Sequence, residues 1–225
     1  MITKHPLFNG LTEAELAQLL PCFSKRSFGK GVYLYHPGNL AYNCYLVETG
    51  LVRLFFTNAS GKEFTLELVS PPSILGSPVL HEDQHRLLGA AAVLPTVVFA
   101  ISNQDLAVYA QRFPQLMNNI YKAIDHMLRK TLLFTRALVS LNVEGRLAGL
   151  ILYLNRSVKG IGSQQEFEIP ISQTEMANWL GASRGHLNRA LNRLQQMGLI
   201  RMEGQKIAIL DRNGLKRLTE NLADE

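Results

Sequence analysis

Residues 171–201, ISQTEMANWLGASRGHLNRALNRLQQMGLIR, decide how this chain is read. Ser172 with Glu175 three residues on is a capping box, which predicts a helix start. Met176, Ala177 and Leu180 make a short apolar face, and Gly181-Ala182 interrupts it. Ser183 is a second N-cap candidate, after which Leu187, Ala190, Leu191 and Leu194 recur at the i, i+3, i+4, i+7 spacing of one helix face. Two short helices joined by a tight turn containing Gly form a helix-turn-helix.

The charges agree. Arg184, Arg189, Arg193 and Arg201 lie in this stretch, and no acid occurs between Met176 and Met202. Arg184, Asn188, Arg189 and Asn192 fall off the apolar stripe. Arginine can bond bidentately to the major-groove edge of guanine, and a helix N-terminus can hold a phosphate. A surface helical hairpin with solvated arginines is the plain alternative. The capping box, the Gly turn and the acid-free second helix together favour DNA.

Outward from this stretch, a length of 225 residues suits two domains better than one, and 47% hydrophobic content can fill real cores. The longest apolar runs, such as residues 87–101, are broken by Gly89 and Pro95, so no membrane span is expected. Lys4 and His5 precede a polar helix start and not an apolar segment, so a cytoplasmic protein without a secretory signal is expected. Cys22 and Cys44 read as buried free thiols. The net charge of +5 is compatible with nucleic acid, and its sharpest concentration is the helix-turn-helix.

Near the start, Thr12 with Glu15 is another capping box, for a helix through about Leu20 with Leu16, Leu19 and Leu20 inward. From Ser24 to about Ile101 the pattern changes to short strands: Val32 and Leu34, then residues 45–47, 51–57, 64–69 and 97–101. Gly29, Gly31, Pro37-Gly38, Thr49-Gly50, Ser60-Gly61, Pro71-Pro72 and Gly76 punctuate them. Many closely spaced short strands suggest an all-β sandwich or barrel.

Asp105 starts a helix through about Gln111, and Pro114 suits the first turn of the next. There Met117, Ile120, Ile124, Met127, Thr131, Phe134, Leu138 and Leu141 alternate three- and four-residue steps, the seam of a coiled coil and hence of a parallel dimer. Asn142 caps a further helix with Leu147, Leu150, Ile151 and Leu154 inward. Residues 157–165 read as a loop and 166–169 as a strand. Residues 199–202 and 206–210 flank Glu203-Gly204-Gln205 as a β-hairpin, which makes the helix pair a winged helix. Asn213 caps a last helix carrying Leu215 and Leu218, before an acidic tail.

This order of parts resembles the CRP/FNR family, the catabolite-activator-like transcription factors. The resemblance covers almost the whole chain. It rests on Gly38, Tyr45, Val47, Gly50-Leu51-Val52-Arg53, Gly61-Lys62-Glu63, Asn142-Val143-Glu144-Gly145-Arg146-Leu147-Ala148 and residues 172–200. It implies an α+β protein in three parts. Residues 1–113 would be a double-stranded β-helix, the cyclic-nucleotide-binding-like jelly roll that acts as sensor. Residues 114–141 would be a long dimerisation helix, and residues 142–225 a winged-helix DNA-binding domain.

Departures from the family pattern limit what transfers. The family's DNA helix carries Ser-Arg-Glu and a further Arg; here Ser183, Arg184 and Arg189 match and Gly185 replaces the Glu. Glu accepts from a cytosine amino group and Gly cannot, so an altered or relaxed operator is expected. The cyclic-AMP members carry Gly-Glu and then Arg-Ser/Thr-Ala. Here Gly76-Ser77-Pro78 precedes Arg86-Leu87-Leu88, and Leu132 follows Thr131 where a second hydroxyl is usual. Arg86 can serve as the phosphate residue, whereas Ser77 cannot replace a carboxylate nor Leu87 donate to a phosphate. The family's usual cyclic-AMP site is therefore not expected. Leu75, Val79, Leu80, Leu87 and Leu88 make the expected pocket apolar, fit for an apolar effector, for none, or simply for barrel core. A self-contained iron–sulfur cluster needs four cysteines and is not expected. Haem at His81 or His85 is not expected either.

The expected function is that of a homodimeric, sequence-specific transcription regulator on double-stranded DNA, with RNA polymerase as partner if it activates. Arg184 and Arg189 would read bases, with Asn188 beside them. Ser183 and His186 would lie near phosphates, Gln173 would assist, and Gly185 would let the backbone approach the groove. An effector site would draw on Gly76, Ser77, Arg86, Leu87 and Thr131. The rival classes are a cupin-like metalloenzyme and a nucleotide-sensing adaptor without DNA function. The six histidines show no H-x-H spacing with a downstream partner, which counts against the enzyme.

Overall fold

A computed structural model describes residues 2–76, 85–159 and 166–220. The chain forms two compact units, Met1–Lys130 and Thr131–Glu225. Among the described residues, no helix is long and apolar enough to cross a membrane.

The first unit opens with helix α1 (Glu13–Leu19), capped as its sequence demands: Thr12 Oγ1 accepts the Glu15 amide at 3.3 Å and Glu15 Oε2 accepts the Thr12 amide at 2.7 Å. The helix gives way to a 3-10 turn at Leu20. Eight strands follow: β1 (Ser24–Phe28), β2 (Tyr33–Tyr35), β3 (Asn43–Thr49), β4 (Val52–Thr57), β5 (Glu63–Val69), β6 (Ser73–Leu75), β7 (Gly89–Ala92) and β8 (Thr96–Ser102). They pair antiparallel in two four-stranded sheets, ordered β1-β8-β3-β6 and β2-β7-β4-β5, which is a jelly roll.

Strand β3 shows how one run of residues serves two cores. Side chains alternate across a strand. Tyr45 and Val47 join Tyr35, Val52, Leu54, Leu75 and Val98 between the sheets. Cys44 and Leu46 point the other way, to Leu19, Leu106, Phe113, Leu116 and Ile120 under the helices. Strand β8 divides likewise, with Val98 and Ala100 on one side and Phe99 and Ile101 on the other. Both strands are covered on both faces, hence their near-continuous apolar sequences.

Helix α2 (Asn103–Arg112) begins before Asp105, because Ser102 is its N-cap and accepts the Asp105 amide at 2.9 Å. Helix α3 (Pro114–Ser140) is 27 residues long. Of the predicted seam, Met127, Thr131 and Leu138 are exposed. Ile120 is only 2% exposed, and Met117 and Ile124 also pack into the first unit's helical core. The exposed large apolar side chains of α3 are Tyr121, Met127, Leu128, Leu132, Leu133, Leu138 and Val139, among which Tyr121, Leu128, Leu132 and Val139 follow steps of seven, four and seven.

In the second unit, helix α4 (Val143–Lys159) is capped by Asn142, whose Oδ1 accepts the Gly145 amide at 2.9 Å. Leu147, Leu150, Ile151 and Leu154 are fully buried. The helix continues past Ser157, where a loop was expected, and residues 160–165 lie outside the described part. Strand β9 (Glu166–Glu168), helices α5 (Gln173–Trp179) and α6 (Arg184–Gln196), strands β10 (Ile200–Glu203) and β11 (Lys206–Ile209) and helix α7 (Arg212–Glu220) complete it. The three strands form one antiparallel sheet ordered β10-β11-β9. The cap of α7 is Asp211 and not Asn213: Asp211 Oδ1 accepts the Gly214 amide at 2.9 Å. The predicted acidic tail lies outside the described residues.

Candidate nucleic-acid interface

Helix α5 starts at its capping box, with Ser172 Oγ accepting the Glu175 amide at 3.2 Å and Glu175 Oε2 accepting the Ser172 amide at 2.8 Å. It ends on Gly181 at φ +61°. The Ala182 amide reaches Ala177 O at 2.9 Å and the Gly181 amide reaches Asn178 O at 3.1 Å, which is a Schellman motif. Only a residue at ease with positive φ closes the turn so tightly.

Two residues later Ser183 starts α6. Its Oγ accepts the His186 amide at 3.2 Å and lies 2.8 Å from His186 Nδ1, so the His186 ring meets the Ser183 hydroxyl. Leu187, Ala190, Leu191 and Leu194 are buried, anchoring the helix to α4 and α5. Gly198, at φ +67°, closes α6 with the same motif: Leu199 N to Leu194 O at 3.0 Å and Gly198 N to Gln195 O at 2.9 Å.

The face left outside carries Arg184, Gly185, His186, Asn188, Arg189, Asn192 and Arg193, all exposed, and Gln173 is exposed on α5. Arg193 is drawn 3.9 Å from Glu144. Arg184 and Arg189 have no acidic partner among the described residues. The β10–β11 hairpin turns at Gly204, φ +64°, and is tied to α6 where Gln195 Oε1 accepts the Met202 amide at 3.1 Å. Sequence reasoning passed over Gln195, which carries no motif of its own.

The residues expected to hold an effector divide. Arg86 is 7% exposed, stacked 4.2 Å from the Tyr35 ring and 5.8 Å from that of Tyr45, and donates to Asn43 O. Its Nε and Nη1 have no partner among the described residues. Gly76, at φ +86°, makes room for that guanidinium, since a Cβ there would collide with Nη1. Burial pushes the Tyr35 hydroxyl up to about 12 against the pull of Arg86, and burial pushes the Cys44 thiol up to about 12, so both neighbours stay neutral. Leu87 is 87% exposed, on a bend just before β7. Leu75 and, in part, Leu88 belong to the core between the sheets. Thr131 lies exposed on α3. His85 is exposed and bridges Leu40. Ser77, Val79, Leu80 and His81 lie outside the described residues.

Comparison with known proteins adds to this geometry. Residues 25–113 match the Cyclic nucleotide-binding domain family and residues 145–218 the Crp-like helix-turn-helix domain family. The chain is 29% identical over 218 residues to the Cyclic AMP receptor protein of Thermus thermophilus, covering 97% of this chain and 98% of that one. It is 28% identical to the Anaerobic regulatory protein of Haemophilus influenzae, over 93% of this chain and 82% of the relative. A solved structure of a CRP/FNR-family transcriptional regulator from Thermus thermophilus superposes with a TM-score of 0.74 at 25% identity, covering 88% of this chain and 98% of that one.

Proposed function

The chain belongs to the CRP/FNR family of DNA-binding transcription regulators, and from that premise we propose that it works as a homodimer reading a pseudo-palindromic DNA site through paired α6 helices. The observation that carries this reading is the exposed face of α6, an acid-free surface on which Arg184 and Arg189 stand unpaired among the described residues. Arg184 and Arg189 read base edges, with Asn188 beside them. Ser183 and His186 lie next to phosphates at the N-terminus of α6, Gln173 supports them from α5, and Gly185 admits the backbone to the groove.

The exposed apolar stripe of α3 supports the dimer. Tyr121, Leu128, Leu132 and Val139 repeat at coiled-coil spacing and stand exposed among the described residues. By division of labour, residues 1–113 sense, 114–141 dimerise and 142–225 bind DNA. Homologues are transcription regulators, and this chain is read as one and not as an enzyme. RNA polymerase is the further partner if binding activates transcription.

Arg86 supports an anionic effector, because a buried guanidinium with no carboxylate partner among the described residues is stabilised by a bound negative charge. Ser77 and Leu132 stand where the family's cyclic-AMP members have a carboxylate and a hydroxyl, so the effector proposed is an anion other than cyclic AMP. Binding it would shift the long helices and re-aim the DNA domains.

Selection of bound DNA from a random pool, with and without small-molecule extract of the source cells, tests this. A two-fold symmetric site is expected. Its emergence only with extract identifies a ligand-switched regulator, and its emergence without extract a protein active as isolated. No symmetric site under either condition overturns the reading.

A further inference from the structure

We infer that Phe134 and Trp179 are positioning residues: their contact fixes the angle between α3 and the helix-turn-helix, and so sets which spacing between operator half-sites the protein accepts. The inference rests on the dimeric DNA-binding reading above.

The two rings lie 4.9 Å apart between centroids, with their planes at 55°. One turn farther along α3, a Cβ built on Gly181 would stand 3.6 Å from Leu138 Cδ2. The end of α3 therefore meets α5 at its last residue and again at the turn into α6. Arg146 fastens that end, donating from Nη1 to Leu138 O at 3.1 Å and Leu141 O at 2.7 Å. From the other side, Glu144 at the start of α4 sits 3.9 Å from Arg193 of α6.

The chemistry of Trp179 points the same way. Its Nε1–H is buried without an acceptor among the described residues. A leucine would fill apolar space with no orphaned donor, so the position uses the breadth of the ring and not its polar atom. On a helix of 100° per residue, Phe134 lies roughly 140° around α3 from the stripe of Tyr121, Leu128, Leu132 and Val139. Within the second unit, α3 thus turns Leu132 and Val139 to one side and the reading head to the other. Each added base pair rotates a half-site by about 35° and moves it by about 3.4 Å, so the tilt of α5 on α3 is read out as spacer length.

The test uses the full-length protein and inverted copies of the half-site that the parent selects, separated by spacers varied one base pair at a time. The parent is expected to prefer one spacer over its neighbours by roughly tenfold or more, and Phe134→Ala and Trp179→Leu by less than about threefold. Phe134→Tyr should restore the parent's preference. A variant that is merely less stable loses affinity on all spacers alike, so a change in the ratio is specific to positioning. Trp179 is the chain's single tryptophan, and its emission should shift to the red in Phe134→Ala as the indole opens to water. If Phe134→Ala does not fold by circular dichroism, Phe134→Leu and Trp179→Phe replace it. Variants that keep both the parent's spacer ratio and its emission overturn the role of this contact alone. A parent that binds no symmetric site overturns the dimeric reading beneath it.

Discussion

The Arg189 guanidinium reaches back one helical turn towards Gly185, 4.0 Å from where a Cβ on that glycine would stand. Among the described residues, the other atom within 4 Å of that Cβ, outside the helix's own backbone and the adjoining residues, is Ser183 Oγ at 3.9 Å, so packing does not require glycine at this place.

Gly185→Ala is therefore expected to stabilise the DNA-binding unit by about 1 kcal/mol through helix propensity, measured by thermal unfolding. Gly185→Glu places a carboxylate beside Arg189 and an acceptor for a cytosine amino group at the groove. Repeating the DNA selection with this variant should return a different consensus, and an unchanged consensus would remove position 185 from base readout.

Arg189→Ala should weaken binding to the cognate site by about 1–3 kcal/mol and relax specificity at one base pair. Arg193→Ala should cost less, because Arg193 already neighbours Glu144 and lies towards the flank of the reading face. Fluorescence anisotropy on labelled duplexes orders the two, and equal losses would refute the division between them.

Leu128→Asp or Leu132→Asp should break the dimer while leaving the fold intact, at a cost of about 2 kcal/mol or more for each hot-spot side chain. Sedimentation velocity reads the change as a halved mass. Ile120→Asp, in the predicted seam but 2% exposed in the monomer, should instead unfold the first unit, because it buries an unpaired charge. Circular dichroism distinguishes the two outcomes.

His5 supplies a pH dependence. Desolvation by burial holds its imidazole below the usual 6.5, a shift only partly offset by a backbone hydrogen bond with Ser73. Its Nδ1 accepts the Leu7 amide at 3.2 Å, an acceptor that protonation would abolish. A lowered folded-state pKa means the unfolded chain binds the proton more readily. The stabilisation is thus complete above about pH 6.5 and is lost as pH falls below it towards the folded-state value. The melting temperature should fall from pH 7.5 to 5, and His5→Gln should flatten that slope; an equal slope in the variant would clear His5 of the effect.

The parts legible in the sequence are those whose causes are local. Thr12 with Glu15, Ser172 with Glu175, and Asn142 before α4 each announce a helix start through bonds spanning three residues. The positive φ of Gly181 and Gly204 likewise follows from turns that few other residues make. Strand β7 escaped notice because Gly89-Ala90-Ala91-Ala92 has little strand propensity of its own. Its residues are small because a Cβ at Gly89 would strike the Phe55 ring, a neighbour far away in sequence. The predicted α3 seam is partly buried and partly exposed for a related reason, with Ile120 2% and Met127 38% exposed. Periodicity marks apolar faces, but α3 has more than one, and only the folded chain decides which is covered by Leu19, Leu46 and Leu106. Likewise, Arg86 reads as a phosphate ligand from its neighbours, whereas its stacking on Tyr35 and the hollow left by Gly76 are tertiary facts.

Because the exposed stripe and Phe134 share the single uninterrupted helix α3, its length acts as a phase setting. Inserting one residue between Leu132 and Phe134 would turn everything downstream by about 100° and advance it by about 1.5 Å. Such a change would swing the reading head out of step with its twin. Seven residues would return the phase to within about 20°. Tolerated length changes in this helix should therefore come in sevens.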